Sequence, residues 1–289
     1  VKPIGRPTLG RGIPLRTVAP NAVTALALCF GLTGIRFAIA AAGLEANPQS
    51  CTLEMGAAAC GSLALDYWTK AIGSIIIAGI LDGVDGRIAR MFRGESRFGA
   101  ELDSLSDVIA FGVSPALIVY LWALQQFPRL GWFCALAFVV CQALRLARFN
   151  ARIDVDDQPH KSAGFLTGVP APAGAGLAFL PLYLWIVTGE PWFRSPVVVA
   201  PWVAFVAVLM ISNVATFSWG SIRLRRNIRL EAILLLALIG TALFAEPLWT
   251  LIGVSVAYVA LIPFSMRSYA KVRRRRAVAG TKPDDAPAS

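Results

Sequence analysis

Histidine and charge are what this chain most lacks. Its 289 residues include a single histidine, His160, and only 15% are charged, with 17 acids against 27 bases. One histidine in a polar loop gives no support to a metal centre built on imidazoles or to a histidine-based triad. Soluble domains are typically about 25% charged. A composition that is 56% hydrophobic, with mean hydropathy +0.64, therefore argues against a soluble enzyme. Cysteine is also sparse. Cys29, Cys134 and Cys141 fall inside apolar runs, where buried thiols are expected. Cys51 and Cys60 fall in a loop, where an oxidising compartment would favour a disulfide and a reducing one two free thiols.

What is present instead is a series of long apolar runs. Eight are read as spans: Val18–Ala42, Tyr67–Ala89, Ser104–Leu124, Gly131–Ala147, Leu166–Thr188, Pro196–Phe217, Leu230–Ala245 and Leu248–Met266. The first is too long, and wrongly flanked, for a cleaved signal peptide. The expected fold is an all-α integral membrane protein of about eight transmembrane helices. Residues 1–17 are read as a cytoplasmic segment, 18–268 as the transmembrane catalytic domain and 269–289 as a basic, disordered tail.

The net charge of +10 is unevenly placed. Lys2, Arg6, Arg11 and Arg16 precede the first run, and Arg87, Arg90, Arg93 and Arg97 separate the second from the third. Arg145, Arg148, Arg152 and Lys161 follow the fourth; Arg223, Arg225, Arg226 and Arg229 follow the sixth; Arg273 to Arg276 lie in the tail. Alternate loops are poor in base. By the positive-inside rule both termini are cytoplasmic, which an even number of spans satisfies. These bases flank hydrophobic runs and no nucleic-acid module is visible, so they are read as topogenic charge that also attracts anionic membrane lipids.

The acids are few but concentrated. Asp82-x2-Asp85-Gly86-x2-Ala89-Arg90-x8-Gly99-x3-Asp103-x3-Asp107 places four aspartates where two apolar helices meet. Helical spacing puts Asp82, Asp85, Gly86 and Ala89 on one face, and Gly99, Asp103 and Asp107 on one face of the next helix. Four carboxylates brought together disfavour one another's ionisation, and hard divalent cations with oxygen ligands relieve this. Asp82, Asp85 and Asp103 are best placed as metal ligands. Gly86 and Gly99 let a ligand approach the backbone, Ala89 is small for the same reason, and Arg90 can grip a phosphate with two parallel hydrogen bonds. Solvated ion pairs and helix packing explain any two of these residues, but not the whole set. A cation channel or transporter would use the carboxylates and leave Gly86, Ala89 and Gly99 without a role.

At every specified position this pattern resembles the signature of the CDP-alcohol phosphotransferase family. The resemblance implies transfer of a phosphatidyl-type group from a CDP-linked lipid to an alcohol, with release of CMP. It implies two divalent ions, Mg²⁺ or Mn²⁺, bridging the carboxylates and the CDP diphosphate, and Asp107 as the general base. It also implies a homodimer, for which the sequence marks no face. Pro20-Asn21-Ala22-Val23-Thr24 is similar to the opening of the family's first helix, so Asn21 and Thr24 are either cytidine or phosphate contacts or an ordinary helix cap and turn.

Three further stretches, Phe111-Gly112-x-x-Pro115-Ala116, Arg145-Leu146-Ala147-Arg148-Phe149-Asn150 and Phe165-x-x-Gly168-x-Pro170-x-Pro172-Ala173, resemble the bacterial membrane-embedded phosphatidylserine synthases of that family. This implies CDP-diacylglycerol and L-serine as substrates and a bacterial cytoplasmic membrane as the location. Serine needs a cation for its carboxylate and an oxygen for its ammonium. Arg145 or Arg148 can supply the first, and Asn150 can hold an amino or hydroxyl group, although both arginines also suit the interface as snorkelling charges. The alternative acceptors are glycerol 3-phosphate, inositol phosphate and choline.

Overall fold

Without water to bond to, an apolar stretch must satisfy its backbone within itself, and a helix does so locally. The computed structural model describes residues 15–92, 97–151, 165–212, 215–217 and 229–280. The order begins with α1 (Leu15–Ala46), the short α2 (Pro48–Met55) and α3 (Ala57–Phe92). Next, α4 (Arg97–Val108) runs through a π-helical turn, Ile109–Val113, directly into α5 (Ser114–Trp122). A 3-10 turn (Leu124–Gln126) leads to α6 (Pro128–Ala151). After β1 (Phe165–Thr167) come α7 (Ala171–Ala178) and α8 (Leu180–Thr188), which together form one span. A second 3-10 turn (Pro191–Arg194) precedes α9 (Pro196–Ile211), β2 (Ala215–Phe217), α10 (Arg229–Ala245) and α11 (Pro247–Gly280).

Each of the eight apolar runs is helical over most of its length. Among the described residues, six helical segments are long and apolar enough to cross a membrane. At 16 and 17 residues, α9 and α10 fall short of the roughly 20 that a bilayer asks for. Several boundaries differ from the sequence reading. The first helix starts at Leu15, so Pro20 lies inside it instead of opening it. Leu166 and Phe217, taken as span ends, belong to β1 and β2, which pair antiparallel with Leu166 opposite Thr216. The last helix continues to Gly280, through the basic run expected to be disordered.

Side chains sort inversely to a soluble bundle. On α6, Cys134, Phe138, Gln142 and Leu146 are buried, while Phe133, Leu136, Val140 and Leu144 on the opposite face are exposed. The exposed stripe suits lipid, and the buried one faces neighbouring helices. The longest pairing is α1 along α3, and α1 also touches the α4–α5 rod. Gly31 permits that approach, since a Cβ there would stand 2.9 Å from the Ala110 Cα. The rod and α6 run antiparallel: Gly131 lies against Leu124, Gln142 against Gly112 and Asn150 against Ser104.

The π-helical turn has a local cause. The Ser114 N–H reaches back five residues to the Ile109 carbonyl, which the Ser114 hydroxyl also contacts at 2.9 Å. Pro115 then has no N–H to give, and its ring would crowd the preceding turn of a regular helix. A wider turn accommodates both. At the break between β1 and α7, Gly168 takes φ +75°, and a Cβ there would lie 2.6 Å from the Met210 carbonyl oxygen.

The end of the bundle away from the aspartates is tied by polar contacts. Arg194 pairs with Glu45 and donates to the Trp122 carbonyl at 3.0 Å, while Trp68 Nε1 donates to Glu45 at 3.0 Å. Arg194 also stands 5.1 Å from the centre of the Trp185 ring. Beside this cluster Cys51 and Cys60 form a disulfide that staples α2 to the start of α3. Cys29, Cys134 and Cys141 are free. Alkylation of the denatured protein without reductant should therefore modify three of the five cysteines, and after reduction all five. Five modified cysteines without reductant would contradict the disulfide.

Candidate active site

Three helices converge on the aspartates. The carboxyl-terminal part of α3 supplies Asp82 and Asp85, α4 supplies Asp103 and Asp107, and the amino-terminal part of α1 closes the third side. One oxygen from each of Asp82, Asp85 and Asp103 lies within 4.8 Å of the others. Asp85 is buried, at 6% exposure, whereas Asp82 and Asp103 are half-buried and open toward one another. Oxygen ligands at this spacing fit a hard divalent cation, which coordinates at about 2.0–2.6 Å. The donor set therefore suits a metal ion of that class.

Asp107 stands one turn beyond Asp103. Its carboxyl neighbours that of Asp82. Two carboxyls can touch only with a proton between them, or can stay apart and charged with a cation alongside. Arg145 of α6 lies within electrostatic range of Asp107, without a direct ion pair, and Tyr258 of α11 within range of Arg145. The fourth aspartate thus adjoins the metal-ligand group and feels a guanidinium.

Thr24 fixes the buried ligand. Its hydroxyl stands 2.9 Å from Asp85 Oδ2 and 3.1 Å from the Pro20 carbonyl. It has one proton to donate, and the carboxylate is the stronger acceptor. The Ser106 hydroxyl donates to the Thr24 carbonyl at 3.2 Å, so the turn between Asp103 and Asp107 is pinned to α1. With 5% exposure, Thr24 is a support for Asp85. Asn21, one turn earlier, is half-buried.

Gly86 stands beside open space: a Cβ there would meet nothing within 4 Å. Ala89 and Arg90 belong to the last turns of α3, and Gly99 lies in the first turn of α4. The side chains of Ala89 and Arg90 lie outside the described residues.

The three polar residues at the end of α6 are divided in their tasks. Arg148 donates to the Ile211 carbonyl at 3.0 Å and ties α6 to the end of α9. Asn150 Nδ2 donates to the Ser104 hydroxyl at 2.9 Å and ties α6 to α4. Arg145 has its Nε buried and lies within electrostatic range of Asp107. Sequence reasoning missed Ser104 and Ser106 as neighbours of the site, and Gln142 further along α6. A signal existed for the last: Gln142 is the only amide in the run Gly131–Ala147.

The fold and site together define a polytopic helical membrane protein with a carboxylate centre suited to a divalent cation. Residues 17–219 match the CDP-alcohol phosphatidyltransferase family, and the chain belongs to it. The chain is 36% identical over 265 residues to the CDP-diacylglycerol–serine O-phosphatidyltransferase of Mycobacterium tuberculosis, covering 92% of this chain and 83% of that relative. It is 35% identical to the enzyme of the same name from Helicobacter pylori, over 60% of this chain and 70% of the relative. To that of Methanocaldococcus jannaschii it is 44% identical, over 35% of this chain and 44% of the relative.

Replacing Asp82 or Asp103 by Ala should weaken Mn²⁺ binding by about tenfold or more, that is about 1.4 kcal/mol for each tenfold. Thr24→Val should also lower Mn²⁺ affinity, by less than either aspartate variant, because Asp85 keeps its charge and loses only its support. Titration of Mn²⁺ followed by electron paramagnetic resonance reads both. Unchanged affinity in the Asp82 and Asp103 variants would remove them as ligands.

Proposed function

We propose that this protein transfers the phosphatidyl group of CDP-diacylglycerol to L-serine, giving phosphatidylserine and CMP. The observation that carries this reading is the gathering of Asp82, Asp85 and Asp103, with Asp107 one turn beyond and Arg145 of α6 within electrostatic range of it. The clustered carboxylates suit a metal-bound diphosphate, and Arg145 suits the carboxylate of an amino acid. Membership of the family and the relatives named above support the same chemistry.

Arg145 would take the serine carboxylate and so direct the hydroxyl toward Asp107. Asp107 accepts the hydroxyl proton as the serine oxygen forms its bond to the phosphorus bearing diacylglycerol. The bond from that phosphorus to the bridging oxygen breaks, and CMP departs with the electron pair. Asp82, Asp85 and Asp103 would hold the divalent cation, Mg²⁺ or Mn²⁺ and by the resemblance two ions, which when bound neutralises charge on the diphosphate and on the leaving CMP. Gly86 leaves room for the nucleotide beside α3, and Arg90 would grip a phosphate from the following turn.

Arg148 and Asn150 already have partners in α9 and α4, so Arg145 is the best placed of the three for the acceptor. By the positive-inside rule the arginine-rich segments support a cytoplasmic side for both termini and the aspartates, in a bacterial inner membrane. CDP-diacylglycerol would then reach the site from the cytoplasmic leaflet, and serine from the cytosol.

Purified protein in detergent, given CDP-diacylglycerol, Mg²⁺ or Mn²⁺ and one acceptor at a time, should release CMP with serine and form phosphatidylserine. Chelation should abolish the release and added metal restore it. Asp107→Asn should keep CDP-diacylglycerol binding and lose turnover by a factor of about 10³ or more, consistent with removal of a general base. Release with glycerol 3-phosphate, inositol phosphate or choline but not serine would keep the aspartate chemistry and discard the serine assignment.

A further inference from the structure

Gln142 is wholly buried, at 0% exposure, and among the described residues neither its amide oxygen nor its amide nitrogen has a hydrogen-bond partner. A buried amide with both ends unmade is costly, and apolar packing would normally replace it. The fold nevertheless makes room for it. Its Cγ would lie 3.0 Å from a Cβ on Gly112, so any larger residue in the π-helical turn would press on the amide stem. Three residues further along α6, Arg145 has its Nε buried and likewise without a partner. The two lie near one another on the helix surface, three residues or about 4.5 Å apart along the axis. Gln142 packs against the π-helical turn of the rod that carries Asp107.

We propose that Gln142 determines acceptor specificity: its amide oxygen takes the ammonium of the amino-acid acceptor while Arg145 takes the carboxylate. This rests on the serine reading above and adds a residue to it. The chemistry follows from the inventory of groups. Arginine offers only donors and cannot hold an ammonium. The aspartates would be engaged with the divalent cation and with the proton of the serine hydroxyl. A neutral acceptor close to Arg145 meets the need without adding a fifth carboxylate to the cluster, and the amide nitrogen remains to donate to the acceptor's own carboxylate. Complete burial makes the group selective. An alcohol without an amino group would leave the amide unpaired after seating, and sites of this kind discriminate strongly against analogues that lack the matching group.

The test compares full-length wild type with Gln142→Met, which keeps the volume and removes the amide, and Gln142→Asn, which keeps the amide and withdraws it by one methylene. Steady-state CMP release is measured with L-serine and with 3-hydroxypropionate, which is serine without its amino group. The expected result for both variants is a KM for serine raised about tenfold or more, with kcat and the KM for CDP-diacylglycerol within about twofold of wild type. The preference for serine over 3-hydroxypropionate should fall by a similar factor. A purely structural role would not produce that split. If Gln142→Met does not fold, Gln142→Asn decides alone. A serine KM and preference within about twofold of wild type in the folded variant would overturn the proposal. If wild type itself shows no serine-dependent release, the serine reading falls first and this inference with it.

Discussion

Mutual repulsion among four carboxylates is the constraint around which the rest of this protein is arranged. Aspartates at this spacing cannot all remain charged in a largely apolar surrounding without cations close by. The fold answers with the closeness of Asp82 and Asp107, a hydroxyl from Thr24 on Asp85, and the Arg145 guanidinium within electrostatic range of Asp107. Each of these partners comes from a different element, so the site exists only when α1, α3, α4 and α6 are docked. The polar ties Ser106 to Thr24 and Asn150 to Ser104 hold three of those elements in register within a few residues of the acids. Packing and chemistry share the same residues there.

The structure also explains why the polar residues at the end of α6 are not interchangeable. Arg145, Arg148 and Asn150 are close in sequence, yet α6 turns them toward three different neighbours. Two are engaged in holding helices together, and the third lies within electrostatic range of the aspartates. A residue's neighbourhood in sequence therefore says less about its task than the direction in which the helix presents it. The same holds for Thr24, whose burial makes it a support for an aspartate.

Much of this was legible in the chain itself. The apolar runs fixed where helices would form, and helical spacing placed the aspartates on facing surfaces. A fixed pattern spanning two helices identifies a site because its members must meet in space. Three features were not legible. The β1–β2 pair forms from the ends of two apolar runs whose composition suits a helix equally well, and only the Gly168 backbone and the pairing partner across the fold decide it. The π-helical turn depends on Ser114 and Pro115 acting together on one carbonyl, a local detail that periodicity averages away. The isolation of Gln142 depends on what surrounds it, and no pattern of spacing reports a missing partner.

The polar cluster at the opposite end of the bundle has a mechanical consequence. Glu45 and Thr24 sit on the same helix, about 32 Å apart at 1.5 Å per residue. The Arg194–Glu45 pair, braced by Trp68 and Trp122, acts as the fulcrum of a lever whose far tip supports Asp85. A tilt of α1 by about 3° at that fulcrum would move Thr24 by about 1.7 Å over this arm. That is more than the tolerance of a metal–oxygen bond. A substitution at Glu45 or Arg194 that allowed such a tilt would then be felt as a change in the spacing of the carboxylates.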